Sequence, residues 1–247
     1  MTSRNGVIKE QGFSLVELMI AMLLGTFLIG GLVSVFISSA SNYKVQQALT
    51  EVQHKGRYIL RVLRQDVQEA GFNLPESEAI REFVGDANSC APGRKIFETY
   101  WKRADNKLWR YCYYRTADNL LMRNTGEKDV TPVLTPLEIA EGVEDWELSY
   151  AVDINNPGDG VVDQILVSGA PKTYVPQGSL QDVLDLSIPA TWYKVRAVRL
   201  EVLVSSDTAN VTNQAQQIAA PFSTHVPTGQ RLYQVFTATL ALRNRVK

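Results

Sequence analysis

Between Leu18 and Ile37 the chain reads LMIAMLLGTFLIGGLVSVFI, with no charged side chain and only Thr26 and Ser34 carrying hydroxyls. As a helix this run is about 30 Å long, the thickness of a bilayer's hydrocarbon core. Arg4 and Lys9 precede it, with Glu10 the only acid beside them. That bias keeps the N-terminus in the cytoplasm and sends the remainder outward. Cys90 and Cys112 then lie in an oxidising compartment, where a disulfide between them is expected and two separately buried thiols are the alternative.

An ordinary secretory signal cut at Ser38-Ser39-Ala40 would need a much shorter apolar region, of about 7–15 residues. A plain single-pass anchor leaves Glu17 unexplained. A carboxylate inside an apolar span costs roughly 2.5–3.5 kcal/mol at mid-helix and less near the interface, so such a residue usually has a partner. Just upstream stands Gly12-Phe13-Ser14-Leu15-Val16-Glu17, behind a short hydrophilic leader. This pattern resembles the class III signal of type IV prepilins and type II secretion pseudopilins. The resemblance implies that a prepilin peptidase cuts between Gly12 and Phe13 and that the new amine of Phe13 is N-methylated. It further implies that the apolar segment is retained and that Glu17 would accept a charge-assisted hydrogen bond from the terminal amine of a neighbouring subunit or its own, setting the subunit stagger. Gly25, Gly30 and Gly31 interrupt the span, either for close packing or for local softness.

Beyond the span, Val45, Leu49, Val52, Gly56, Ile59, Leu63, Val67 and Ala70 recur at three and four residues, an apolar stripe. Gly71 and Pro75 supply a stop. One helix from Ser14 to Ala70 would be about 85 Å long. Strand patterns follow at 107–116 and 120–123, around an Ala117-Asp118-Asn119 turn, then at 146–152, 161–168, 198–204 and 233–242. On the last, Phe236, Ala238, Leu240 and Leu242 share a face. Residues 171–189 and 207–227 read as long loops. The expected fold is α+β: a long N-terminal helical spine, membrane-spanning in its first half, packed on an antiparallel β-sheet head. Four parts follow: a cleaved leader (1–12), a membrane and filament-core helix (13–40), its amphipathic continuation (41–72) and a periplasmic head (73–247).

Within the head, Gly56-Arg57-Tyr58, Arg64-Gln65-Asp66, Ala70-Gly71-Phe72, Glu141-Gly142-Val143-Glu144-Asp145 with Tyr150, the stretch from Asp153 to Asp163, and Leu242-Arg243-Asn244-Arg245 resemble the PilW family of minor pilins. The J-type minor pseudopilins of type II secretion share this style of head. The resemblance implies a role in type IV pilus assembly, in a priming or tip complex. Its partners would be prepilin peptidase, other minor and major pilins, and the inner-membrane assembly platform. The chain would sit in the bacterial inner membrane and then in the pilus. A membrane-anchored periplasmic binding protein or enzyme is the alternative from another class.

Other chemistry is thin. Asp153, Asn155, Asp159 and Asp163 could offer oxygen ligands to a structural Ca²⁺, but Pro157 and the lack of a closing glutamate suit a plain turn better. No further cofactor is expected. His54 and His225 have no carboxylate at motif spacing, and no zinc, phosphate-loop or nucleophile-elbow pattern occurs, so an enzyme is not expected. A net charge of -1 without a basic block argues against nucleic acid in bulk. The aromatic-basic stretches Trp101-Lys102-Arg103 and Trp109-Arg110-Tyr111 read first as a hairpin and second as a nucleic-acid face.

Overall fold

The computed structural model describes residues 12, 14–74, 79–86, 89–128, 135–154, 161–180 and 189–243. Its contacts divide the chain into two units, Met1–Gln46 and Gln47–Lys247.

The apolar run and the stripe form one helix, α1, Leu15–Glu69. Ser14 C=O accepts from Leu18 N–H at its start, and Gly71, in a left-handed conformation (φ 81°), follows its end. The Gly71 N–H bonds to Tyr100 C=O at 2.8 Å, so the chain leaves the helix directly onto a strand.

In the first unit, the large apolar side chains from Leu15 to Ile37 are all exposed. In the second, α1 buries Ala48, Val52, Gly56, Ile59, Leu63, Asp66 and Val67. This corrects the expected stripe at its start, since Val45 and Leu49 are 37% and 41% exposed. The stripe is right from Val52 onward, where the sheets supply a surface to bury against.

Among the described residues those sheets come from eleven strands. β1 (Ile80–Val84), β2 (Lys95–Lys102), β3 (Leu108–Arg115), β4 (Leu121–Glu127) and β5 (Thr135–Ala140) pair in that order as a five-stranded sheet. β6 (Val143–Val152), β9 (Val175–Pro176), β10 (Val195–Ser205) and β11 (Tyr233–Ala241) form a second, in the order β11-β10-β6-β9. β7 (Ile165–Val167) and β8 (Ala170–Lys172) make a separate ribbon. All pairings within these sheets are antiparallel. The head therefore holds two main sheets where the patterning suggested one. The break falls between β5 and β6 at Gly142, whose positive φ of 71° and close approach to Ser205 C=O (2.8 Å from an added Cβ) suit only glycine.

One core serves both sheets. Val52, Ile59, Leu63 and Val67 of α1 join Phe97 and Tyr113 of the first sheet and Leu148, Tyr150, Val198, Leu200, Ala238 and Leu240 of the second. β10 follows its alternation, with Val198, Leu200, Val202 and Val204 all buried. On β11, Ala238, Leu240 and the following Leu242 are buried while Phe236 is half-buried. The expected strand at 161–168 shrinks to β7. The expected loop at 171–189 contains β8, β9 and a helical turn, α2 (Gln177–Leu180), because Val175 and Leu180 anchor in the core. A 3-10 segment, Pro189–Lys194, leads into β10. The stretch between β10 and β11 is irregular, as expected.

Candidate functional site

The N-terminal unit carries the candidate processing and assembly residues on an exposed apolar helix. Gly12 is exposed and lies before the helix, Glu17 is in the first helical turn, and Phe13 lies outside the described residues. A carboxylate there favours the helix dipole. Within α1 an 18-residue window long and apolar enough to cross a membrane is 0% buried. Its one threonine fits that setting: the Thr26 hydroxyl donates to Met22 C=O at 2.6 Å, with Leu23 C=O at 3.1 Å. Such back-bonding satisfies a hydroxyl without water. Among the described residues of this unit, a Cβ added at Gly25, Gly30 or Gly31 would meet nothing within 4 Å.

Among the described residues of the second unit, three of the four buried carboxylates are each held by a tyrosine hydroxyl and a cation. Tyr113 donates to Asp66, and Arg123 donates to the same carboxylate at 2.9 Å. Tyr100 and Arg110 do likewise for Glu98, with Arg110 at 3.0 Å. Tyr150 donates to Glu82 at 2.5 Å, and Lys95 pairs with it at 2.9 Å, tying β1 of one sheet to β6 of the other. Burial raises the Asp66 carboxyl above its ordinary range, against the opposing pull of Tyr113 and Arg123. Burial also lifts the hydroxyls of Tyr113 and Tyr150 well above the ordinary tyrosine range, with the adjacent carboxylates adding to the effect. These phenols remain protonated donors. None of the three triads was foreseen; Asp66 could have been, since it falls on the apolar stripe three residues after Leu63.

Lys55 holds the helix to the loops of the head. Its ammonium pairs with Glu51 at 3.0 Å, with Glu141 at 3.9 Å and with Asp207, whose own N–H donates to Glu51 at 2.7 Å. Burial works to lower the Lys55 ammonium's pKa, but Asp207 and Glu51 outweigh it and the net direction is up. Beside this cluster Glu144 accepts from Ser205 Oγ at 2.7 Å and from Asn119 at 2.8 Å, and lies 3.9 Å from His225. The serine bonds to the acid and not to the histidine, which is not the order a nucleophile–base pair needs.

Cys90 and Cys112 form a disulfide with Cα atoms 6.6 Å apart, clamping the loop before β2 onto β3. Of the four oxygen ligands considered for calcium, Asn155 and Asp159 lie outside the described residues. Asp153 is buried and pairs with Arg196 at 3.1 Å, while Asp163 accepts from Ile154 N–H at 2.7 Å. The aromatic-basic stretches are the β2–β3 hairpin. Trp101 stacks on Tyr111 at 4.2 Å between ring centroids, and the Arg103 guanidinium covers Trp109 at 3.9 Å, so one face of each of these rings is occupied within the hairpin.

Two family models match the chain. The prokaryotic N-terminal methylation motif covers residues 8–33, which hold Gly12, Phe13 and Glu17. Type IV pilus-assembly protein W covers residues 113–244, more than half of the chain, from β3 to just beyond β11. No curated protein matches it significantly.

Proposed function

The chain belongs to the type IV pilus-assembly protein W family, and on that premise we propose that it is a minor pilin of the priming or tip complex of a type IV pilus. In this reading prepilin peptidase cuts after Gly12, and Phe13 becomes the methylated N-terminus. The apolar half of α1 holds the subunit in the inner membrane with its head outside. It then passes into the filament core, against other minor and major pilins and the assembly platform. A head spanning most of Gln47–Lys247 suits a low-copy subunit better than one that tiles the whole filament.

One observation carries the reading: the helix surface from Leu15 to Ile37 is apolar and uncovered, yet has Glu17 in its first turn. A lipid anchor needs the apolar surface alone. A carboxylate at that depth is stabilised by a cation, and the amine released by cutting behind Gly12 is the nearest one the chemistry supplies. Both families matched describe pilus-assembly and pilin-processing features rather than a catalyst.

Mass spectrometry of the mature N-terminus tests this directly. The expected species begins at Phe13 and carries one added methyl group. An intact Gly12–Phe13 bond in the membrane-inserted protein would overturn the reading in favour of a plain anchor.

A further inference from the structure

Three arginines on α1 are left over from the head's own ion pairs. Arg57, Arg61 and Arg64 are exposed, and among the described residues none of them is paired with an acid. The acids and the lysine between Gln47 and Glu69 are engaged: Glu51 and Lys55 with Asp207, Asp66 with Tyr113 and Arg123, Glu69 with Gln65. At i, i+4 and i+7 the three arginines share one face, about 10 Å long, opposite the buried Val52, Ile59, Leu63 and Val67. His54, Tyr58 and Gln65 are exposed beside them, and none brings a negative charge.

Such a face is unfavourable for the helix that bears it. Like charges three and four residues apart repel, and no acid at those spacings from Arg57, Arg61 or Arg64 offsets them. The chain as a whole carries a net charge of -1, so the stripe is a local segregation of charge and not the edge of a basic protein. Its electrostatic complement is an acidic surface.

We propose that this face docks a helix of a different protein chain, one that carries carboxylates at matching intervals. Cations one turn apart along a straight ridge are met by acids one turn apart on a second helix, each guanidinium taking a carboxylate in a forked pair. A second copy of this chain lacks that complement. A two-fold contact through the stripe sets arginine against arginine. The acids of α1 are Glu17, Glu51, Asp66 and Glu69, of which Asp66 is buried and Glu51 is held by Lys55, and α2 has no acid. A lipid surface fits less well. A helix lies on a membrane through a free apolar face, whereas the apolar face here is in the core, and an anionic lipid patch calls for about four to eight basic residues. Nucleic acid favours a strongly basic domain, and the pI of this chain is about 6.2.

The test uses the full-length chain in nonionic detergent at low ionic strength. Its probe is a labelled alanine-based helical peptide with glutamates at i, i+4 and i+7, beside a control of the same composition with its glutamates on different faces. The spaced peptide should bind at least tenfold more tightly than the control, and the preference should fade as salt is added. Combining Arg57→Gln, Arg61→Gln and Arg64→Gln should abolish it, with a melting temperature equal to the parent's or higher because the repulsion is relieved. Arg61→Gln alone should weaken it severalfold and carries the test if the triple variant does not fold. Equal binding of the two peptides, or a preference that survives in the variants, would overturn the proposal. Tighter stripe-dependent binding of phosphatidylglycerol in mixed micelles or of a single-stranded oligonucleotide, or a stripe-dependent dimer in sedimentation, would overturn it in favour of that occupant. Neither cleavage nor a filament is involved, so the outcome is independent of the N-terminal mass that tests the pilin reading.

Discussion

Gly56 of α1 lies against the ring of Phe236 on β11, with no room between them for a side chain. The contact lets helix and sheet approach at a point where the neighbours on the stripe, Val52 and Ile59, are fully buried.

Gly56→Val should therefore destabilise the head by about 1–3 kcal/mol, the usual cost of overpacking. Gly56→Ala should cost less, because alanine returns up to about 1 kcal/mol of helix propensity. Adding Phe236→Leu to Gly56→Val should recover part of the loss, since the smaller side chain vacates the position. Thermal melts of the single and double variants measure this, and simple additivity would show that the ring is not what the new side chain meets.

The acids of the head predict two opposite pH slopes. Burial holds Asp66 above the ordinary aspartate value of about 3.9, despite Tyr113 and Arg123. Between that value and the higher folded one, the native chain keeps a proton that the unfolded chain has released, so this group's contribution falls as pH rises. Burial also works to raise Asp207, but Lys55 together with hydrogen bonding to Glu51 and Glu141 outweighs it and the net direction is down. Its contribution is present above about 3.9 and is lost as pH falls toward the lower folded value. In denaturation midpoints measured across pH, Asp66→Asn should flatten the first slope and Asp207→Asn the second. The same slope in a variant as in the parent would remove that carboxylate from the account.

Much of the helical and strand layout was legible because it is local. The helix was bounded to within one residue at each end by Ser14 and Ala70-Gly71, and the β3–β4 turn by Asn119, whose φ is 60°. β10 and β11 show in their alternation. What stayed hidden depends on distant partners. β1 reads IREFV, and nothing local says that Glu82 is buried against Tyr150, 68 positions away. Asp66, Glu82 and Glu98 look like surface charges until the cation and phenol that neutralise them are in place. β9 has two residues and no pattern of its own. Glu17 is the reverse case: an acid beside an apolar run stands out in the sequence, while the partner proposed for it belongs to another chain or to a processed terminus.

The Cys90–Cys112 bond closes a loop spanning 22 positions, for which chain entropy predicts a stabilisation of about 3 kcal/mol. Replacing both cysteines by serine should lower the melting temperature accordingly and free the loop before β2 from Cys112's side of β3. The measurement is a melt of the double variant beside the parent with and without reductant. A parent insensitive to reductant and equal in stability to the variant would contradict the cross-link's role.

Glu17 supplies the sharpest functional prediction. On the proposed reading, Gly12 and the apolar helix suffice for processing and insertion, and neither requires the carboxylate that Glu17 places in the first turn of α1. Glu17→Val also removes the cost of placing an acid in lipid, so the variant should be cut and should remain in the membrane at least as well as the parent. What it loses is an acceptor for the terminal amine, a charge-assisted bond of the stronger class. The expected result is a normal mature mass, normal membrane abundance and a marked fall in the amount recovered in sheared pili. Glu17→Asp should fall between the two, since it keeps the charge but shortens the reach. If Glu17→Val enters filaments at the parent's level, the pairing that sets subunit stagger is not made by this residue, even though the signal before it is still cut.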